Sequence, residues 1–129
     1  MDRRIFLIGL GLAPIASLAF ETRTNQSGGK SLYGLIGQIM TKPDSRDELI
    51  AILLAGTKGM PGCLSYVVSK DPSDPDSIWV TEIWKDKKSH TASLSLQSVR
   101  DAMEQGKPLI AGFGKRIELS PVGGHGLEP

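Results

Sequence analysis

Runs of apolar and polar residues divide most of the chain into alternating strands and helices. Residues 32–41 (LYGLIGQIMT) are apolar at both odd and even positions, which is typical of a strand covered on both faces. Lys42-Pro43-Asp44 interrupts this strand. Residues 45–58 are predicted to form a helix, because Ser45 and Glu48 have the spacing of a capping box. An apolar helical stripe follows them: Leu49, Ile50, Leu53 and Leu54.

Two further strands are predicted to form a hairpin. Residues 63–70 (CLSYVVSK) and 77–85 (SIWVTEIWK) have strand composition, and the Asp- and Pro-rich residues 71–76 between them predict a turn. Because side chains alternate along a strand, one face of the strand at residues 77–85 carries Glu82 and Trp84, and the other face carries Trp79.

A second helical region covers residues 86–105, with a break near Gln97, where its apolar stripe loses phase. Gly106-Lys107-Pro108 ends it, and residues 113–121 (FGKRIELSP) are predicted to be the fourth strand. The order β-α-β-β-α-β predicts an α+β, ferredoxin-like domain, with a four-stranded antiparallel sheet and both helices on one face. The other face would be bare, and two sheets packed face to face in a homodimer, a dimeric α/β barrel, would cover it.

The first residues have the composition of an export signal. Arg3 and Arg4 precede an apolar stretch, residues 5–16, which is too short to cross a bilayer, and Ser17-Leu18-Ala19 resembles a cleavage site. We therefore expect a signal peptide over 1–19, a flexible linker over 20–31, the domain over 32–122 and a Gly-rich tail over 123–129. The mature protein is expected in the periplasm or outside the cell, without a transmembrane span. The Arg pair followed by Phe-Leu resembles a twin-arginine motif, and an ordinary Sec signal or an uncleaved anchor remains the alternative.

Composition narrows the possible chemistry. The chain has 129 residues, of which 40% are hydrophobic, so one domain is expected. Its formal net charge of +1 gives no reason to expect nucleic acid as a partner. Cys63 is the only cysteine and there are two histidines, so a thiolate cluster is excluded and a metal site is not expected. The sequence has no dinucleotide or phosphate-binding motif, so any chemistry is predicted to need no cofactor.

Three short motifs resemble the antibiotic biosynthesis monooxygenase (ABM) family. Residues 81–86 (TEIWKD) are similar to its Glu-x-Trp-x-(Asp/Ser) strand ending, residues 60–66 (MPGCLSY) to its helix-to-strand junction, and residues 108–113 (PLIAGF) follow in the family's order. The resemblance implies a dimer with a pocket between sheet and helices. It leaves the substrate open, because the family includes oxidases of aromatic polyketides, quinol monooxygenases, haem-degrading enzymes and proteins without known activity.

The resemblance has one departure. Many members have a histidine at the position of Ser93, whereas this chain has its histidine earlier, at His90, in a pattern similar to a His-x-x-Ser-Leu subgroup. The axial histidine of the haem-degrading branch would fall at Leu94, so haem degradation is not expected.

Oxygenation of a phenol or quinol without a cofactor needs a base and an apolar pocket. His90 is the candidate base, because an imidazole with its ordinary pKa of about 6.5 accepts protons near neutrality. The candidate substrate-binding residues are Trp84, Ser93, Tyr66, Phe113 and Glu82. These residues also have structural interpretations. His90 would be a solvated helix residue, the aromatic side chains would belong to the core, and Glu82 would be paired with an arginine or a backbone amide. The predicted function is a monooxygenase or oxidase that uses dioxygen and a small aromatic or quinol substrate. The alternative is a non-catalytic, dimeric small-molecule-binding or stress-response domain.

Overall fold

The computed structural model describes residues 31–127, which form a four-stranded antiparallel sheet with three α-helices. In chain order the elements are β1 (Tyr33–Thr41), α1 (Arg46–Gly56), β2 (Cys63–Lys70), β3 (Ser77–Trp84), α2 (Lys87–Ser93), α3 (Gln97–Gly106), a 3-10 turn (Lys107–Leu109) and β4 (Ile110–Leu119). The predicted signal peptide and nearly all of the predicted linker lie outside the described residues. Between residues 31 and 127, no helix has the length and apolar character needed to cross a membrane.

The strand order is β2-β3-β1-β4, and every neighbouring pair is antiparallel. This confirms the predicted ferredoxin-like fold. In the register of β1, Leu35 lies between Glu82 of β3 and Glu118 of β4. Gly37 likewise lies opposite Arg116 of β4. The register therefore lines up charged side chains from both neighbouring strands beside the centre of β1.

The core lies between the sheet and the helices. One cluster of buried side chains surrounds Trp84 and joins β1 and β3 to α3: Tyr33, Leu35, Met60, Trp84 and Val99. A second cluster joins Leu49 of α1 to Ile78 and Val80 of β3. The strand members of these clusters are odd-numbered in β1 and even-numbered in β3, so these sets face the helices.

The opposite sheet face carries apolar side chains that α1 and α3 do not cover. Ile117 and Leu119 of β4 are almost half exposed, and Ile36 of β1 pairs with Ile117. Trp79 also belongs to this face, as predicted, and its Nε1 donates a hydrogen bond of 3.0 Å to Asp71 Oδ2. We call this surface the open face.

Two details of the sequence interpretation were wrong. Ser45 does not cap α1: its backbone is in the helical region, not extended, and its hydroxyl lies 3.4 Å from the Pro43 carbonyl oxygen. β4 starts at Ile110, not at residue 113, because the 3-10 turn after α3 leads the chain directly into the strand. The predicted break near Gln97 is confirmed, since α2 ends at Ser93 and α3 begins at Gln97.

Candidate active site

The short helix α2 is held at the end of β3 by two local contacts. Asp86, directly before the helix, has an extended backbone and accepts a hydrogen bond of 2.8 Å from Ser89 N, as an N-cap residue does. Gly62 has φ of +82°, and a Cβ there would lie 2.5 Å from Ser89 Oγ, so only glycine lets the turn and α2 approach this closely. The Asp at the end of the Glu-x-Trp-x-Asp motif therefore fixes the helix that carries His90.

His90 is packed between two aromatic rings. Its ring centroid lies 5.3 Å from that of Tyr33 and 5.5 Å from that of Trp84, the latter in an edge-to-face arrangement. Its Nε2 atom lies 3.8 Å from Glu82 Oε1, and both side chains are only 14% exposed. The alternative interpretation of His90 as a solvated surface residue is therefore wrong.

Glu82 is a largely buried carboxylate with two nitrogen-bearing neighbours, Trp84 and His90. Trp84 Nε1 donates a hydrogen bond of 2.9 Å to Glu82 Oε1, the same oxygen that faces His90. Burial raises the pKa of Glu82, while the Trp84 hydrogen bond, His90 and Arg116 lower it by smaller amounts. A carboxylate whose pKa is raised is a stronger base than an ordinary glutamate.

A cavity of about 230 Å³ opens on the helix side of the sheet, beside Glu82. We call it the central cavity. Its lining includes the apolar side chains Leu35, Ile39, Val80 and Phe113, and the polar side chains Tyr66, Glu82 and Arg116. Gly37 contributes empty space, because a Cβ there would have no other atom within 4 Å. An apolar chamber with a few convergent polar groups is the usual form of a small-molecule site.

Three of the predicted site residues line the central cavity, namely Tyr66, Glu82 and Phe113, and the other three do not. Burial raises the pKa of Tyr66, with the charges of Glu82 and Cys63 adding to the rise, so its phenol stays protonated and able to donate. His90 and Trp84 do not line the cavity, but both contact Glu82, which does. Ser93 is buried, and its hydroxyl donates to the His90 carbonyl oxygen at 2.6 Å, inside the helix.

A polar network lies beside His90 at the edge of the sheet. The Tyr33 hydroxyl donates a hydrogen bond of 2.6 Å to Glu118 Oε2, and Lys87 and Arg116 place cations 3.5 Å and 3.8 Å from the same oxygen. The Tyr33 hydrogen bond, with the Lys87 charge, lowers the pKa of Glu118, which therefore stays ionised. Tyr33 thus has a protein acceptor for its hydroxyl.

Sequence reasoning missed Arg116, Gly37 and Ile39 as cavity residues. Gly37 and Ile39 share the face of Leu35 by alternation along β1, and Arg116 pairs with Gly37 in the regular part of the β1–β4 register. The register shift between Gly37 and Ile39 then brings Phe113 to the same face as Arg116. Strand alternation alone does not give the position of such a bulge. In the described part of the chain, no cluster of three or more His, Cys, Asp or Glu side chains is arranged to hold a metal ion.

These features define a class of protein: a ferredoxin-like α+β domain with a small cavity between the sheet and the helices. Residues 32–105 match the family model described as antibiotic biosynthesis monooxygenase. This match covers more than half of the chain, so the chain belongs to the ABM family. The family resemblance that the motifs predicted is confirmed.

Similar proteins support the same assignment. A solved protein of Chloroflexus aurantiacus J-10-fl, provisionally named an antibiotic biosynthesis monooxygenase, is 58% identical, with a TM-score of 0.74 over 76% of this chain and 100% of that chain. A similarly named protein of Caulobacter crescentus CB15 is 17% identical, with a TM-score of 0.66 over 73% and 92% of the two chains, and shows the fold alone. An uncharacterised protein of Synechocystis is 25% identical over 103 residues, which are 78% of this chain and 67% of that protein.

Proposed function

We propose that the protein is a cofactor-independent monooxygenase or oxidase that acts on a small aromatic or quinol substrate with dioxygen. The observation that carries the proposal is the largely buried Glu82–His90 pair, separated by 3.8 Å, of which Glu82 lines the central cavity. A quinol reacts slowly with dioxygen until it loses a proton, so the site must first accept a proton.

The substrate's hydroxyl group gives its proton to this pair. Glu82 is the member that lines the cavity, and His90 is the imidazole behind it. Tyr66 and Arg116 stand on other walls and supply a hydrogen-bond donor and a positive charge, which stabilise the substrate anion. The buried side chains Leu35 and Val80 limit the access of water to this anion.

The substrate anion can react with dioxygen in two ways, and both reactions are balanced. In the oxidase reaction, the quinol gives two electrons and two protons to dioxygen, which yields quinone and hydrogen peroxide. In the monooxygenase reaction, one oxygen atom enters the ring and the other leaves as water, which yields a hydroxyquinone. Both use dioxygen as the only oxidant and balance without an added reductant.

The active protein is proposed to be a homodimer joined through the open face. The supporting observation is the apolar surface there, which includes Ile117 and Leu119. A patch of exposed apolar side chains on a sheet is typical of a protein interface.

Oxygen uptake by the full-length protein, with reduced quinols and hydroxylated naphthalenes, tests the proposed activity. We expect uptake that depends on the substrate, and analysis for hydrogen peroxide against hydroxylated product distinguishes the two reactions. Binding of these compounds without any uptake would instead support the non-catalytic binding domain.

A further inference from the structure

The central cavity is small for a complete substrate. Ligand sites usually enclose about 300 to 1,000 Å³, whereas this cavity has about 230 Å³. That volume suits a single hydroxylated ring at Glu82, with little room for further substituents. A larger substrate would therefore have to extend beyond the central cavity.

A second, larger space adjoins it. A groove of about 730 Å³ lies between α1, α3 and the start of β4. We call it the side groove. Its apolar lining includes Leu49, Leu53, Ala102, Met103 and Ile110. Its charged residues, Glu104 and Lys107, are exposed. This composition favours an uncharged, apolar occupant.

The two spaces are adjacent. Ile39 and Phe113 line both of them and lie between the polar end at Glu82 and the apolar groove. Phe113 is 74% exposed and Met103 is 58% exposed, so both present apolar surface to the side groove. A ligand that passes Phe113 would cover both.

We propose that the substrate is amphiphilic: a hydroxylated aromatic ring that enters the central cavity, with an apolar side chain that lies in the side groove. This inference rests on the proposed function, since it names the substrate class for the same site. It predicts that affinity increases with the length of the side chain, because each methylene group leaves water for the groove.

Direct binding tests the inference without turnover. Calorimetric titration of the full-length protein with 4-methyl-, 4-butyl- and 4-hexylphenol measures affinity as a function of chain length. We expect the dissociation constant to fall by about two- to fourfold for each added methylene group. In Met103→Lys, which places a charge in the groove, we expect this dependence to disappear while 4-methylphenol binds as before.

Leu54→Lys is the matched control. Leu54 is 48% exposed on α1 and does not line the groove, so its substitution should leave the chain-length dependence unchanged. The inference is overturned if chain length does not change affinity, if Met103→Lys keeps the dependence, or if no alkylphenol binds. It is also overturned if Met103→Lys dissociates an oligomer, because a second copy then occupies the groove. Oxygen uptake with short-chain quinols would still support the proposed function in each of these cases.

Discussion

Trp84 Nε1 donates a hydrogen bond of 2.9 Å to the carboxylate of Glu82, two residues earlier on the same strand. Side chains two apart on a strand share a face, so this contact is built into the Glu-x-Trp spacing. The tryptophan ring also packs against His90. In the Glu-x-Trp motif, the core residue Trp84 therefore orients the largely buried carboxylate of Glu82.

Trp84→Phe tests this contact. The substitution keeps an aromatic ring but removes the donor that lowers the pKa of Glu82, so we expect that pKa to rise further. We also expect a loss of about 1.5 to 3 kcal/mol in the free energy of unfolding, the usual contribution of a hydrogen bond to a charged group. Carbon-13 NMR titration of the glutamate carboxyl groups measures the first effect and urea unfolding the second.

Trp79→Phe is the control for that variant. Trp79 also donates a hydrogen bond to a carboxylate, that of Asp71, but it lies on the open face. Its substitution should leave the titration of Glu82 unchanged. An equal shift in both variants would contradict the account.

Glu82→Gln is expected to stabilise the protein increasingly as the pH rises. The pKa of Glu82 is raised in the folded protein above its ordinary value of 4.5, so the fold disfavours the ionised form. The resulting cost is absent below the unfolded pKa, grows as the pH rises toward the folded pKa, and is constant above it. Glutamine keeps the acceptor for Trp84 and cannot ionise.

Urea unfolding between pH 4 and pH 8 measures this difference. It should reach about 1.4 kcal/mol for each unit that separates the folded and unfolded pKa values. Glu104→Gln, on the exposed side of α3, is the control and should show no such trend. A Glu82→Gln advantage that shrinks with rising pH would contradict the prediction.

Gly37→Val is expected to block the central cavity without unfolding the sheet. The new side chain points into space where no other atom lies within 4 Å of its Cβ, and valine suits a strand. We expect the Michaelis constant for a quinol to rise about tenfold or more, with stability equal to or greater than that of the wild type. Gly37→Ala should give an intermediate effect. Unchanged kinetics in both variants would show that the substrate binds elsewhere.

Ile117→Asp tests the proposed dimer. Its side chain lies on the open face, where a buried aspartate would be left unpaired, so we expect the dimer dissociation constant to rise about a hundredfold or more. Sedimentation velocity measures the change. Leu54→Asp, at a similarly exposed apolar position on α1, should leave the association state as it is. Equal behaviour of the two variants would rule out the open face as the interface.

Much of the fold could be predicted from local pattern. The bounds of β2 agree with the prediction, and those of β1 and β3 differ by one residue at one end, because strand composition and the turn residues between the strands define them. The break between α2 and α3 also follows from a loss of apolar phase. The start of β4 does not, because a proline-containing 3-10 turn leads into it without a polar loop.

The site was only partly predictable, because its residues meet through long-range contacts. Alternation places Glu82 and Trp84 on one face, but the approach of His90 depends on the close contact between Gly62 and Ser89. The position of Phe113 on the same face as Arg116 depends on the bulge between β1 and β4. Neither contact leaves a local signal in the sequence.

The turnover number for quinol oxidation in His90→Asn and Glu82→Gln measures whether the Glu82–His90 pair accepts the substrate proton. Asparagine replaces the ring between Tyr33 and Trp84 with a polar side chain that cannot accept the proton, and Thr91→Ala, an exposed neighbour on α2, is the control. We predict that each of the two variants folds and loses about a hundredfold or more in turnover number, whereas the control keeps the wild-type value. Wild-type turnover in both His90→Asn and Glu82→Gln would contradict the account.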